Sequence, residues 1–215
     1  FAHYLAMVRG GWRSLLNDPQ VRWFLILAVG LVLLLIWHLM QTGLGFGEAV
    51  RQASFNGVSI MTGTGYVSAN FSAWGGFATT ILLIVMFIGG CGGSTTCGIK
   101  VFRLQVLAST AKVQISRLLR PHAVVLAYYN KRPVSVEVMD SVMGFFYLFI
   151  LGFVLIAIML GMAGLDFVTA LSGAATSISN VGPGLGEVIG ADGNFSTLPD
   201  SAKWIMSFAM LLGRL

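Results

Sequence analysis

Charge is what this 215-residue sequence has least of: Asp, Glu, Lys and Arg together make up 10%, against about 25% in an ordinary soluble domain. That scarcity, with 56% hydrophobic residues and a mean hydropathy of +0.84, excludes a disordered chain and argues for an integral membrane protein. Cysteine is almost missing. Cys91 and Cys97 have no histidine or second pair at metal-ligand spacing, so they make neither a zinc site nor a disulfide framework. The apolar runs hold no paired carboxylates, no Ser/His or Ser/Lys dyad and no metal-ligand cluster, which argues against an intramembrane enzyme. The formal charge is +5, but the basic residues are grouped by topology rather than along one soluble face, so nucleic acid is not an expected partner.

Apolar runs and glycine are what the sequence has in excess. Trp23 to Met40 is interrupted only by His38, and its length just crosses a hydrocarbon core of about 30 Å. Gly47 to Met61 is amphipathic and too short to cross, which predicts a re-entrant half-helix. Trp74 to Gly93 is long enough to span. The chain then turns basic and polar from Lys100 to Arg132, and Val138 to Met162 makes a third span. A second short stretch, Asp166 to Ile178, leads into Ser179-Asn180-Val181-Gly182-Pro183-Gly184, and Trp204 opens a fourth run.

The order span, half-helix, glycine turn, span therefore occurs twice. A shift of 117 residues lays Thr62-Gly63-Thr64-Gly65 on Ser179-Asn180-Val181-Gly182, and after an insertion over Glu187 to Leu198 a shift of 124 aligns Met86–Gly89 with Met210–Gly213. Such a repeat is the strongest organisational signal in the chain. It divides the chain into a basic segment over 1–22, a first repeat over 23–111, a linker over 112–137 and a second repeat over 138–215. Phe1 precedes a basic stretch unlike a signal peptide, and Leu215 falls inside an apolar run. Both ends read as cuts in a longer polypeptide. Ten of the thirteen Lys and Arg lie in 1–22 or 100–132; the positive-inside rule makes those segments cytoplasmic and turns both glycine turns outward.

Glycine numbers 27, with thirteen between Gly43 and Gly98 and eight between Gly161 and Gly193. Irregular backbone inside a membrane is tolerated only where protein buries it or where it lines a water-filled cavity, and carbonyls so exposed can replace an ion's hydration shell. Thr62-Gly63-Thr64-Gly65-Tyr66 has that chemistry, with glycines free to turn carbonyls and hydroxyls supplying further oxygens. A half-helix ending there directs its negative pole at a cation. Gly89, Gly90, Gly92, Gly93 and Gly98 form a second cluster. Two readings stay open for it: close helix packing through the Gly89/Gly93 spacing, or a break in the span. Arg214 lies ten residues past Trp204, about 15 Å into the run, where a charge marks a functional site.

The residues Met61–Tyr66, Gly92-Gly93-Ser94-Thr95-Thr96-Cys97-Gly98-Ile99-Lys100, Asn180–Gly184 and Gly213-Arg214-Leu215 together resemble the membrane subunit of the Trk/Ktr/HKT potassium uptake superfamily. The resemblance is to the second half of a bacterial Trk protein and covers essentially the whole chain. It implies an all-α integral membrane fold of tandem helix/pore-loop/helix repeats, two of four being present, that takes up potassium across the bacterial cytoplasmic membrane as a channel or a symporter. Filter residues would be Thr64, Gly65, Val181 and Gly182, with Thr62, Gly63, Ser179 and Asn180 deeper. A gate would comprise Gly89, Gly90, Gly92, Gly93 and Gly98 with Arg214 and, more weakly, Lys100. Cys97 departs from the family's run, which has glycine there. Potassium is implied as substrate, with no tightly bound cofactor. Implied partners are membrane lipid, a second full chain in a homodimer, and cytosolic nucleotide-binding regulatory subunits. The competing expectation is a structural subunit that does not conduct.

Overall fold

The computed structural model describes residues 18–120, 126–130 and 132–214. Arg9, Arg13, Lys131 and Leu215 lie outside the described residues. Helix α1, Pro19–Gln41, starts where Asp18 caps it: its Oδ1 accepts the Gln20 N–H at 2.7 Å, and Pro19 fills the first helical position, where no N–H is needed. Its 23 residues reach about 35 Å, enough to cross a bilayer. Leu31, Leu35 and Leu39, four residues apart, make the buried stripe. Ile26, Leu33 and Trp37 point away from the protein. The stripe packs on α2, Phe46–Met61, which at 16 residues is too short to span.

The second repeat uses the same parts. Helix α5, Val136–Met162, is capped by Ser135 and buries Val142, Phe149, Ile156 and Leu160 on one side, while Tyr147 and Ile150 face outward. Helix α6, Phe167–Ser179, packs along it. Asp166 caps α6, and the Thr169 hydroxyl and backbone N–H hold its carboxyl below the ordinary range. The outer chains return through α3, Gly76–Met86, and α8, Asp200–Leu212, each preceded by a short 3-10 turn. A four-residue helix α7, Gly186–Ile189, sits within the insertion.

Two expectations differ from the structure. The span read over Trp74–Gly93 stops at Met86, because the backbone at Gly89 and Gly90 leaves helical geometry to pair with Ile99 and Val101. The segment read as a basic loop is largely a helix, α4, Val101–Leu119, which runs through the 111/112 boundary. Its basic surface concealed one apolar side carrying Val101, Val106 and Val113. Beyond it, β1, Tyr128–Tyr129, and β2, Arg132–Pro133, pair antiparallel as a small hairpin.

The repeat is visible in the backbone, with an offset that changes along the chain. Leu44 donates to the Leu39 carbonyl and Leu165 to that of Leu160, an offset of 121. At the glycine turns the offset is 117, and Asn70-Phe71-Ser72 and Asn194-Phe195-Ser196, 124 apart, form the same capped 3-10 turn. Helix α5 is one turn longer than α1, and α6 about one turn shorter than α2, so the two differences cancel before the glycine turn. The repeats share a core: Ala175, Val181 and Leu185 from the second pack into the cluster built by α1, α2 and α3.

Candidate functional site

Both half-helices end in the same turn. After α2 the backbone takes positive φ at Gly63 (66°) and Gly65 (76°), and after α6 at Asn180 (51°) and Gly182 (114°). Asparagine tolerates this left-handed conformation better than other non-glycine residues, and its Nδ2 is tied to the Met210 carbonyl at 3.1 Å. Thr64 donates to the Ser59 carbonyl at 2.9 Å and Val181 to that of Thr176 at 3.0 Å, again 117 residues apart. The two turns abut: a Cβ on Gly65 would overlap the Val181 carbonyl oxygen and lie 3.2 Å from Pro183 Cδ, and one on Gly182 would lie 3.6 Å from Gly65 Cα.

The carbonyls of Gly63, Thr64, Gly65, Val181 and Gly182 accept no hydrogen bond among the described residues. Backbone carbonyls in a folded protein are mostly paired, so five unpaired ones on two adjoining turns are a concentration of oxygens with coordination capacity left over. Thr62 Oγ1 is engaged with Thr64 Oγ1 at 2.7 Å and the Val58 carbonyl at 2.8 Å. Ser179 is the last residue of α6 and buried, and its hydroxyl, like that of Ser177, has no partner among the described residues.

Sequence reasoning missed the side chains that hold these turns. Ser59 Oγ donates to the Tyr66 carbonyl at 2.7 Å, and Thr176, at the equivalent repeat position, accepts the Gly182 N–H at 3.0 Å. Asn56, fully buried, donates to the Gln52 carbonyl and Ser68 Oγ and accepts the Ser68 N–H. Ser172 makes a similar clamp in the second repeat, bonding both the N–H and the carbonyl of Leu185. A hydroxyl recurring in register at Ser59 and Thr176 was the available signal for that pair; Asn56 and Ser172 do not align under the 117-residue shift. Replacing Asn56 with alanine removes all three of these hydrogen bonds, each worth roughly 0.5–1.5 kcal/mol net, and the loss is read as a lower Tm in detergent.

The glycine cluster after α3 forms a loop, closed at its base by three bonds: Gly89 N–H to Ile99 O (2.9 Å), Ile99 N–H to Phe87 O (2.8 Å) and Val101 N–H to Gly90 O (3.1 Å). This is the break, not close helix packing. Gly93 and Gly98 have φ of 85° and 79°. A Cβ on Gly89 would lie 2.5 Å from the Cys97 carbonyl oxygen. Lys100 Nζ donates to the Ser94 carbonyl at 2.9 Å, and Thr96 Oγ1 reaches the Thr62 carbonyl at 3.3 Å, joining the loop to the first glycine turn. A cavity of about 760 Å³ lies between this loop, α5 and the end of α8, lined by Thr96, Lys100, Phe149, Ile178 and Arg214 among others. Arg214 is exposed and has no side-chain partner among the described residues.

Comparison with known proteins agrees with this geometry. Residues 7–215 match TrkH, described as a cation transport protein. The chain is 43% identical over its whole length to the Trk system potassium uptake protein TrkI of Halomonas elongata, and 33% identical over 99% of its length to TrkG of Escherichia coli. It superimposes on the crystal structure of the potassium transporter TrkH from Vibrio parahaemolyticus with a TM-score of 0.90 at 34% identity, over 99% of this chain and 46% of that one. The chain spans 44% of the first of these relatives and 43% of the second.

Proposed function

This chain belongs to the TrkH family of cation transport proteins, and on that premise we propose that it supplies two of the four filter strands of a potassium pore, the other two lying outside these 215 residues. The observation that carries the reading is the pair of abutting turns with free carbonyls. A potassium ion entering the filter exchanges water for the carbonyls of Thr64, Gly65, Val181 and Gly182, then passes Thr62, Gly63, Ser179 and Asn180. Helices α2 and α6 end at the turns, and the negative poles of their dipoles favour a cation there. Glycine at 65 and 182 lets the two strands approach each other closely. Transport by this route needs no covalent chemistry.

The loop over residues 87–100 is the gate. It lies against the first filter turn, and Gly89, Gly90, Gly92, Gly93 and Gly98 supply the backbone freedom a moving segment needs. Arg214 and Lys100 place positive charge along the path a cation takes below the filter, which lowers its local concentration. Arg214→Ala is expected to raise single-channel conductance or resting flux on the order of tenfold; flux equal to wild type removes Arg214 from the pore. The filter turns face outward from a bacterial cytoplasmic membrane. The working unit is a homodimer of full chains in lipid, opened by cytosolic nucleotide-binding regulatory subunits docked on the basic inner surface. Rubidium uptake by the complete protein in liposomes tests this reading: uptake that requires Gly65 and Gly182 supports it, and uptake indifferent to both contradicts it.

A further inference from the structure

We propose that Gln20, in the first turn of α1, is the positioning residue that latches the glycine-rich loop in its closed arrangement; this rests on the reading of that loop as a gate. Gln20 Oε1 accepts the Gly92 N–H at 2.6 Å across 72 residues of sequence. Among the described residues it is the only side chain from outside residues 87–100 that hydrogen-bonds to the loop's backbone. The loop's base is fastened by backbone bonds and its upper side by Thr96, so the Gln20 contact is the one that holds the Gly92 end. The approach is close: a Cβ on Gly92 would lie 3.0 Å from Gln20 Oε1, so the amide would have to shift by a few tenths of an ångström to admit a side chain there.

Gln20 is itself held firmly. Its backbone N–H is taken by Asp18, and the neighbouring Pro19 carbonyl accepts from Gln105 Nε2 of α4 at 2.9 Å, with Gln105 buried. The same helix carries the hairpin, since Ser109 Oγ bonds both the N–H and the carbonyl of Tyr128, and Phe102 packs edge-on against Tyr129 at 5.0 Å. Burial raises the Tyr129 hydroxyl above its ordinary range, and the neighbouring Gln20 side chain opposes that shift. The start of α1, the loop and the hairpin therefore meet at one amide. A single neutral hydrogen bond has modest net strength, which suits a latch that must also open.

The test uses the complete protein in lipid and two readouts. In Gln20→Ala and in Gln20→Asn, whose shorter side chain withdraws the acceptor, amide exchange of the peptide covering residues 89–98 is expected to accelerate about two- to tenfold. Gln20→Glu keeps an acceptor oxygen and is expected to exchange as wild type at neutral pH. Exchange unchanged in both shortened variants overturns the latch, whether or not the protein conducts. Rubidium leak without activation is expected to rise by the same factor at an unchanged potassium-to-sodium ratio. Faster exchange with an unchanged leak overturns the latch's role in gating, while a wild-type protein that conducts nothing fails the pore reading and leaves the exchange result to decide the contact.

Discussion

Replacing Gly65 with serine is expected to lower the potassium-to-sodium permeability ratio on the order of tenfold. Gly65 sits at φ 76°, where a side chain strains the backbone. Its added Cβ would also overlap the carbonyl oxygen of Val181 and crowd Pro183. Both groups belong to the second turn, so the serine cannot be accommodated within its own strand. It must push Val181 and Gly182 away, and the carbonyls then no longer meet the spacing that replaces a potassium ion's water shell. Gly65→Ala is a sharper control, because it adds the same Cβ without a new oxygen ligand. Equal loss of selectivity in both variants assigns the effect to the approach of the strands. Bi-ionic reversal potentials measure it, and a serine variant with wild-type selectivity removes Gly65 from the filter.

The second large effect is expected at Gly213, which seats the end of α8 on the end of α6. A Cβ there would overlap the carbonyl oxygen of Ile178, with the Ile178 carbonyl carbon at 2.7 Å and its Cα at 3.1 Å. These are backbone atoms one residue before Ser179, so nothing flexible can yield. The adjoining contact, Asn180 Nδ2 to the Met210 carbonyl, crosses the same seam and orients the second turn. Gly213→Ala is expected to lift α8, break that bond and cost about 1–3 kcal/mol, as overpacking does elsewhere. Thermal unfolding in detergent is expected to show a lower Tm, and rubidium flux a large loss. A variant with both unchanged contradicts this account of the seam. The repeat partner of Gly213 is Gly89, 124 residues earlier, where the close neighbour is the Cys97 carbonyl. One repeat position thus serves helix packing in one copy and the returning loop in the other.

Much of the architecture was legible from Trp23, Val138 and the doubled glycine turn, because membrane spans and positive-φ turns are dictated by local composition. The 117-residue offset placed Thr64 opposite Val181 and Gly65 opposite Gly182, and the matched hydrogen bonds to Ser59 and Thr176 follow it. The offset of 121 at the outer ends of α1 and α5 was not legible, since a helix can gain a turn there without altering its apolar pattern. Helix α4 was hidden by its charge: Arg103, Lys112 and Arg117 interrupt the apolar pattern of a segment whose buried side is only Val101, Gln105, Val106 and Val113. Asn56, Ser172 and Gln20 were invisible for another reason. Each acts by reaching backbone groups distant in sequence, and no local pattern shows which backbone will arrive. The conformational need at Gly65 was readable in advance; the collision with Val181 that makes glycine obligatory there was not.

The most direct test of the central claim is ion flux through the complete protein in proteoliposomes under a potassium gradient, with wild type, Gly65→Ser and Gly182→Ser compared. Rubidium and potassium uptake that excludes sodium in wild type and loses that discrimination in both variants is the predicted result. No flux above empty liposomes for wild type, or selectivity that neither substitution alters, would contradict a filter built from these two turns.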